Sequence, residues 1–136
     1  MSPSERQRQF IEDFSVIEDR QERLAAVVDR ARNLPRLPEE DRIDANLVPG
    51  CTSRVWLVRT AENGHLRFRY DCDSPLVKGL VSLLVDTYDG ATPAEIVNTE
   101  PTALQELGLL RDLSPTRQNG IAAVRRRLVD LAIGQA

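Results

Sequence analysis

The stretch VWLVRTAENGHLRFRYDC, from Val55 to Cys72, restricts the fold more than any other part of the chain. Val, Trp, Phe and Tyr favour a pleated surface, and Asn-Gly supplies the left-handed backbone that a two-residue hairpin turn demands. Two antiparallel strands are therefore predicted on either side of Asn63-Gly64. Along the second, Leu66, Phe68 and Tyr70 fall on one face and Arg67 and Arg69 on the other, so the hairpin has an apolar side to cover. A cover follows at once. Ser74 is placed as an N-cap, Pro75 stands at the first helical position, and a dense apolar run leads to Gly90 just past the end. This predicts a central buried helix.

Other helices are predicted before and after that unit. Ser2, Pro3 and Glu5 make a capping box with proline at the first helical position. Leu24, Val27, Val28, Ala31 and Leu34 form an amphipathic stripe that ends before Pro35. Thr92 to Glu95 is a second capping box, PTALQELG predicts a short helix stopping at Gly108, and Ser114 caps a last helix. Ile121, Val124, Leu128, Leu131 and Ala132 form the apolar stripe of that last helix. Between the second helix and the hairpin, PRLPEEDRIDANLVPG carries three prolines. It reads as an extended connection that pairs briefly with the sheet. The expected architecture is α+β, a small antiparallel sheet of about three strands packed by helices, in a single domain over residues 1–136.

With 41% hydrophobic and 29% charged residues, the composition is that of a globular protein rather than a disordered chain. The net charge of -3 gives no general reason to bind nucleic acid or an anionic bilayer. Arg125-Arg126-Arg127 is the one dense basic run, and it reads as the solvated face and positive C-terminal end of the last helix. No apolar run suggests a membrane span or a signal core, so a cytoplasmic location is expected. Two cysteines are too few for a disulfide-stapled fold. In a reducing compartment each is either reactive or simply buried.

Familiar catalytic patterns are missing. The sole histidine, His65, falls in the predicted hairpin turn and reads as a surface residue. The sequence has no GxxxxGK[ST], GxGxxG, CxxC or HExxH. Cys51 stands apart, because Gly50 before it is free to adopt a positive φ and lets a turn present the thiol. From these residues alone Cys51 can fill a core, hold a metal or react.

NLVPGCTSRVWLV, containing Cys51, resembles the cysteine motif of the SufE family, Gly-Cys-x-Ser-x-Val-Trp. YDCDSPLVKGL resembles that family's Asp-x-Asp segment leading into its central helix, and LSPTRQNGI its Leu-Ser-Pro-x-Arg-x-Asn-Gly block. The three blocks occur in order, and the likeness covers roughly residues 5 to 133. It implies a sulfur acceptor of iron-sulfur cluster assembly, a covalent carrier rather than a stand-alone enzyme. Cys51 would take a persulfide sulfur from a cysteine desulfurase, stimulate that enzyme and deliver the sulfur to a cluster scaffold. No resident cofactor is implied beyond the transient persulfide; pyridoxal phosphate belongs to the partner. The protein itself would be a monomer or a homodimer.

The resemblance also assigns supporting residues. Arg117 matches the family's arginine before the last helix and is expected near the cysteine loop. Positive charge there would favour the thiolate, and Arg54, where the family often has Gln, is a second candidate. Asp71 and Asp73 are expected to accept backbone hydrogen bonds at the start of the central helix or to meet the partner. The fold is implied to be shared with IscU-type cluster scaffolds. Cys72 departs from the usual SufE pattern and lies near where those scaffolds carry a second cysteine. The alternative reading is accordingly an iron-sulfur scaffold or carrier using Cys51 and Cys72, although a cluster needs about four ligands.

Overall fold

In the computed structural model, which describes residues 1–134, the hairpin forms as its turn residues require. Asn63 (φ 52°) and Gly64 (φ 79°) both take left-handed backbone, and Glu62 faces His65 across the turn. Strand β1 (Val55–Glu62) runs antiparallel to β2 (His65–Cys72) in an unbroken register that ends with Val55 opposite Cys72. Leu66, Phe68 and Tyr70 are buried while Arg67 and Arg69 are exposed, as the alternation predicts. At the far end the alternation stops. Val55, Trp56 and Leu57, like Tyr70, Asp71 and Cys72, are covered on both faces.

Among the described residues six α-helices surround the hairpin: α1 (Pro3–Ser15), α2 (Arg20–Arg32), α3 (Pro75–Tyr88), α4 (Pro93–Asn98), α5 (Ala103–Glu106) and α6 (Pro115–Ala132). Ser2, Ser74, Thr92 and Ser114 each accept a backbone N–H of the first turn, and each is followed by proline. A proline there gives up a donor that has no helical partner, and its fixed φ favours the turn. The expected α+β architecture is present, but the sheet has two full strands rather than three. Leu47 pairs with Trp56 as a single bridge, and Val48 donates to the Val55 carbonyl at 2.8 Å. Pro49 then has no N–H with which to extend the ladder.

Helix α3 is the centre of the core, touching α1, α2, α5, α6 and β2. Every residue from Gly79 to Val85 is buried. Its two internal hydroxyls, Ser82 and Thr87, donate to the Gly79 and Leu83 carbonyls, so neither is buried without a partner. Gly79 sits directly against α2, where a Cβ would lie 2.9 Å from the Val28 Cα and 3.1 Å from its N. The helices approach this closely because Gly79 contributes no side chain at the contact, leaving room for the Val28 backbone and its Cγ2.

One buried carboxylate joins distant parts of the chain. Asp71 is 1% exposed, accepts the Leu37 N–H at 3.1 Å and the Cys72 N–H at 2.8 Å, and pairs with the Lys78 ammonium at 3.2 Å. Burial works against its charged form, but the Cys72, Lys78 and Leu37 donors outweigh it and hold its pKa below the usual aspartate value. It therefore accepts backbone hydrogen bonds, from the connection and from its own strand. The first turn of α3 is capped by Ser74.

The basic run departs from expectation. Helix α6 continues past Arg127 to Ala132, so the run does not form its C-terminal end. Arg125 turns inward, donating to the Ile96 carbonyl at 2.9 Å and the Thr99 carbonyl at 3.1 Å with its guanidinium over the Tyr88 ring. A long aliphatic stem lets a charged head reach carbonyls left without helical partners where α4 ends, one of which also accepts the Tyr88 hydroxyl at 2.7 Å.

Two substitutions test these contacts by urea unfolding. Gly79→Ala ordinarily favours a helix, but here the methyl meets backbone that has no room to yield, and a loss of about 2 kcal/mol is expected. Asp71→Asn leaves the largely covered Lys78 ammonium without its counter-ion and should cost about 3 kcal/mol at neutral pH. Because the folded-state pKa of Asp71 is depressed, its contribution is present above the unfolded value near 3.9 and disappears as pH falls through the folded value. The wild-type and Asp71→Asn stabilities should therefore converge in acid.

Candidate functional site

The chain enters the cysteine loop from Pro49 through Gly50, whose φ of 90° suits glycine. The position faces α6, where a Cβ on Gly50 would stand in ordinary contact with the Ala123 Cβ at 3.4 Å and an Arg126 guanidinium nitrogen at 3.8 Å, so the backbone angle rather than space selects glycine. Gly50 thus brings the loop down onto α6. Cys51 follows, half-buried, packed against the main apolar core with its thiol donating to the Gly120 carbonyl at 3.2 Å.

Gly120 supplies the seat for that sulfur. A Cβ there would lie 3.7 Å from Cys51 Sγ and 3.9 Å from its Cα. A glycine inside a helix costs about 1 kcal/mol relative to alanine, so one at mid-helix signals a packing or functional reason. Among the sequence motifs it was legible as a glycine, but its partner was not.

The thiol is at rest in its protonated form. Burial pushes its pKa above the ordinary thiol value, and the Arg126 guanidinium opposes that shift. A protonated thiol also suits its partner, since a carbonyl oxygen accepts from S–H and would repel a thiolate. The cation acting on Cys51 is Arg126. It belongs to the basic run and is exposed, as the sequence reading of a solvated face expects, while its charge reaches the cysteine loop.

The other expected residues are distributed around this loop in distinct ways. Arg117 is exposed, and it lines a cleft of about 320 Å³ with Arg20, Leu24, Leu76 and Leu113, a cleft that Cys51 does not line. Arg54 contributes its backbone. Its N–H donates to Asp73 Oδ1 at 3.1 Å, and its carbonyl accepts the Asp73 N–H at 3.1 Å. This pair extends the hairpin by one step beyond Val55 and Cys72 and fixes where the cysteine loop ends. Asp71, as described, braces the same end from inside.

Cys72 is 8% exposed, and the Ser74 N–H donates to its sulfur at 3.5 Å. Burial pushes its pKa up to about 11, against the Ser74 hydrogen bond, with the charges of Asp73, Cys51 and Asp71 adding to the rise. Neither cysteine is in a disulfide. His65 is exposed at the turn end of β2, about 23 Å of extended strand from the Cys72 end. Among the described residues, no group of three or more His, Cys, Asp or Glu side chains could hold a metal ion. The alternative of a cluster scaffold therefore finds no converging ligand set within the described chain. No helix among those residues is long and apolar enough to cross a membrane.

An open cleft of about 700 Å³ flanks the cysteine loop, lined by Pro49, Gly50, Val97, Arg126, Arg127 and Asp130 among others. The arrangement is a sheltered thiol on a constrained turn, with one cation in Coulomb range and an open surface beside it. It can support nucleophilic sulfur chemistry once the thiol leaves its carbonyl partner and ionises.

Known proteins share both the sequence and the shape. The chain is 33% identical over 132 residues to an uncharacterized SufE-like protein of Rhizobium meliloti, covering 93% of this chain and 94% of that one. It is 34% identical over 118 residues to the sulfur acceptor protein CsdE of Escherichia coli, covering 85% and 80%. It also matches a chloroplastic quinolinate synthase of Oryza sativa at 41% over 109 residues, but there it spans 79% of its own length and 15% of the relative's. The solution structure of a hypothetical protein from Thermus thermophilus superposes with a TM-score of 0.77, at 21% identity, covering 99% of this chain and 97% of that one. The SufE profile, described as an Fe-S metabolism associated domain, matches residues 8–132. The chain belongs to the SufE family.

Proposed function

We propose that the protein is a sulfur acceptor in iron-sulfur metabolism, with Cys51 as the atom that receives the sulfur. The observation that carries this reading is the setting of Cys51, a half-buried thiol held on the Gly50 turn against Gly120, with Arg126 beside it. Membership of the SufE family and the likeness to a named sulfur acceptor support the same chemistry.

In the transfer, Cys51 releases the Gly120 carbonyl and loses its proton. The thiolate attacks the outer sulfur of a persulfide on a cysteine desulfurase. A sulfur–sulfur bond forms at Cys51 as the bond to the desulfurase cysteine breaks, and that cysteine departs as a thiolate and recovers a proton. Arg126 lowers the cost of the charged nucleophile, while the Arg54–Asp73 pair keeps the loop's exit in place. The loaded protein then passes the sulfur to a scaffold on which clusters are built. Removing persulfide sulfur from the desulfurase accounts for stimulation of that enzyme. Arg117, on the exposed first turn of α6, serves as a contact for the desulfurase.

Incubation with a cysteine desulfurase and L-cysteine should add about 32 Da to the protein, located at Cys51 by mass spectrometry. Cys51→Ser should show neither the added sulfur nor desulfurase stimulation. Stimulation that persists undiminished in that variant, with wild-type Cys51 unmodified, would overturn the reading.

Alkylation reports the state of the thiol. In a Cys72→Ser background, the rate of Cys51 modification by iodoacetamide should rise with pH to a midpoint above the value of about 8.5 for a free cysteine. Arg126→Gln should move the midpoint higher still, because it removes the one cation favouring the thiolate. An unchanged midpoint would show that Arg126 does not act on Cys51.

A further inference from the structure

Cys72 is a nucleophile that the acceptor chemistry leaves unused. The chain has two cysteines, so a sulfur passed from Cys51 to another cysteine of the same molecule can only reach Cys72. The fold makes that a short journey. Cys72 stands opposite Val55 at the closed end of the ladder, and Arg54 is locked to Asp73 one step further on. Two residues lie between Cys51 and Arg54, and the three chain steps limit that separation to roughly 11 Å even if fully extended. The chain instead bends at Thr52 and Ser53. That bend returns Cys51 to the domain's single apolar core, of which Cys72 is a member at the closed end of the hairpin.

We propose that Cys72 is a second sulfur site, which receives the sulfane sulfur from Cys51 and holds it within the core, away from competing thiols. This rests on the reading of Cys51 as acceptor. The Cys72 thiol gives up its proton, and its thiolate attacks the outer sulfur of the Cys51 persulfide. The bond between that sulfur and Cys51 Sγ breaks, its electron pair stays on Cys51, and Cys51 takes up a proton. One sulfur–sulfur bond replaces another, and no oxidant or reductant is consumed.

The surroundings of the two sulfurs set the direction. Arg126 favours negative charge on Cys51, whereas the charged side chains acting on Cys72 include Asp71 and Asp73. Of two thiols competing for one sulfane sulfur, the better-stabilised thiolate is the better leaving group. Cys51 is therefore suited to let the sulfur go and Cys72 to keep it. The Ser74 N–H directed at Cys72 Sγ gives the sulfur there a donor at the head of α3.

Trypsin places the two thiols on separate peptides, residues 43–54 and 70–78, so the sulfur can be located. The full chain, Cys72→Ser and Cys51→Ser are loaded in two ways: with a cysteine desulfurase and L-cysteine, and by sulfide treatment of a thionitrobenzoate mixed disulfide at Cys51. Each sample is capped with an alkylating agent before digestion. Sulfur should appear on the Cys72 peptide of wild type in both arms and on neither peptide of Cys51→Ser. Cys72→Ser should keep its sulfur on Cys51 and lose it to glutathione about fivefold faster than wild type.

Wild type carrying sulfur only on Cys51, with the same loss rate as Cys72→Ser, would overturn the proposal. So would a Cys51–Cys72 disulfide with release of sulfide, since Cys72 would then have attacked the inner sulfur. If desulfurase loads no variant while the chemical arm still moves sulfur to Cys72, the relay stands and the acceptor reading fails.

Discussion

The carboxylate of Asp71 holds together the end of the molecule where the chemistry is proposed. It reaches the connection after α2 through Leu37, its own strand through Cys72, and the first turns of α3 through Lys78. A buried charge is costly, and this one is stable only because its donors converge from three segments. That convergence fixes the ladder's last pair, Val55 and Cys72, and gives Arg54 and Asp73 a firm base on which to add two further hydrogen bonds. The cysteine loop is suspended between this base and α6. Its position is thus set by long-range contacts as well as by the Pro-Gly turn that introduces it.

Much of the fold was legible in local patterns. The hairpin followed from Asn63-Gly64 and the alternation of Leu66, Phe68 and Tyr70; the helix starts followed from Ser-Pro and Thr-Pro pairs whose capping is decided within four residues. The expected third strand did not form, because whether an extended segment becomes a strand depends on the donors it can offer to a neighbour, and Pro49 ends that possibility. Arg125 illustrates a second limit. Three consecutive arginines look alike in sequence, yet the helix points one at the α4 carbonyls and another at the cysteine loop.

The candidate site shows the same division. Cys51 and Gly50 stood out from sequence because a turn and its glycine are neighbours in the chain. Gly120 and Arg126 lie 69 and 75 positions further on, as 120 − 51 and 126 − 51, and only packing reveals what they face. The resting site favours containment over reactivity: burial and the Gly120 carbonyl both hold the proton on Cys51, and Arg126 offsets that in part. A partner that draws the loop away from α6 would remove the carbonyl and admit water together, and under the proposed function docking and ionisation would then be coupled through one movement.

The two ends of the hairpin differ in what they can tolerate. The cysteine end is covered on both faces and braced by Asp71 and Asp73, while the last residues of β1 and the Asn63-Gly64 turn are exposed. Roughly seven residue steps of strand separate them. That distance makes the turn a natural place for a spectroscopic label or an immobilising tag. A handle there would leave the thiol, the seat at Gly120 and the neighbouring cleft free to meet another protein.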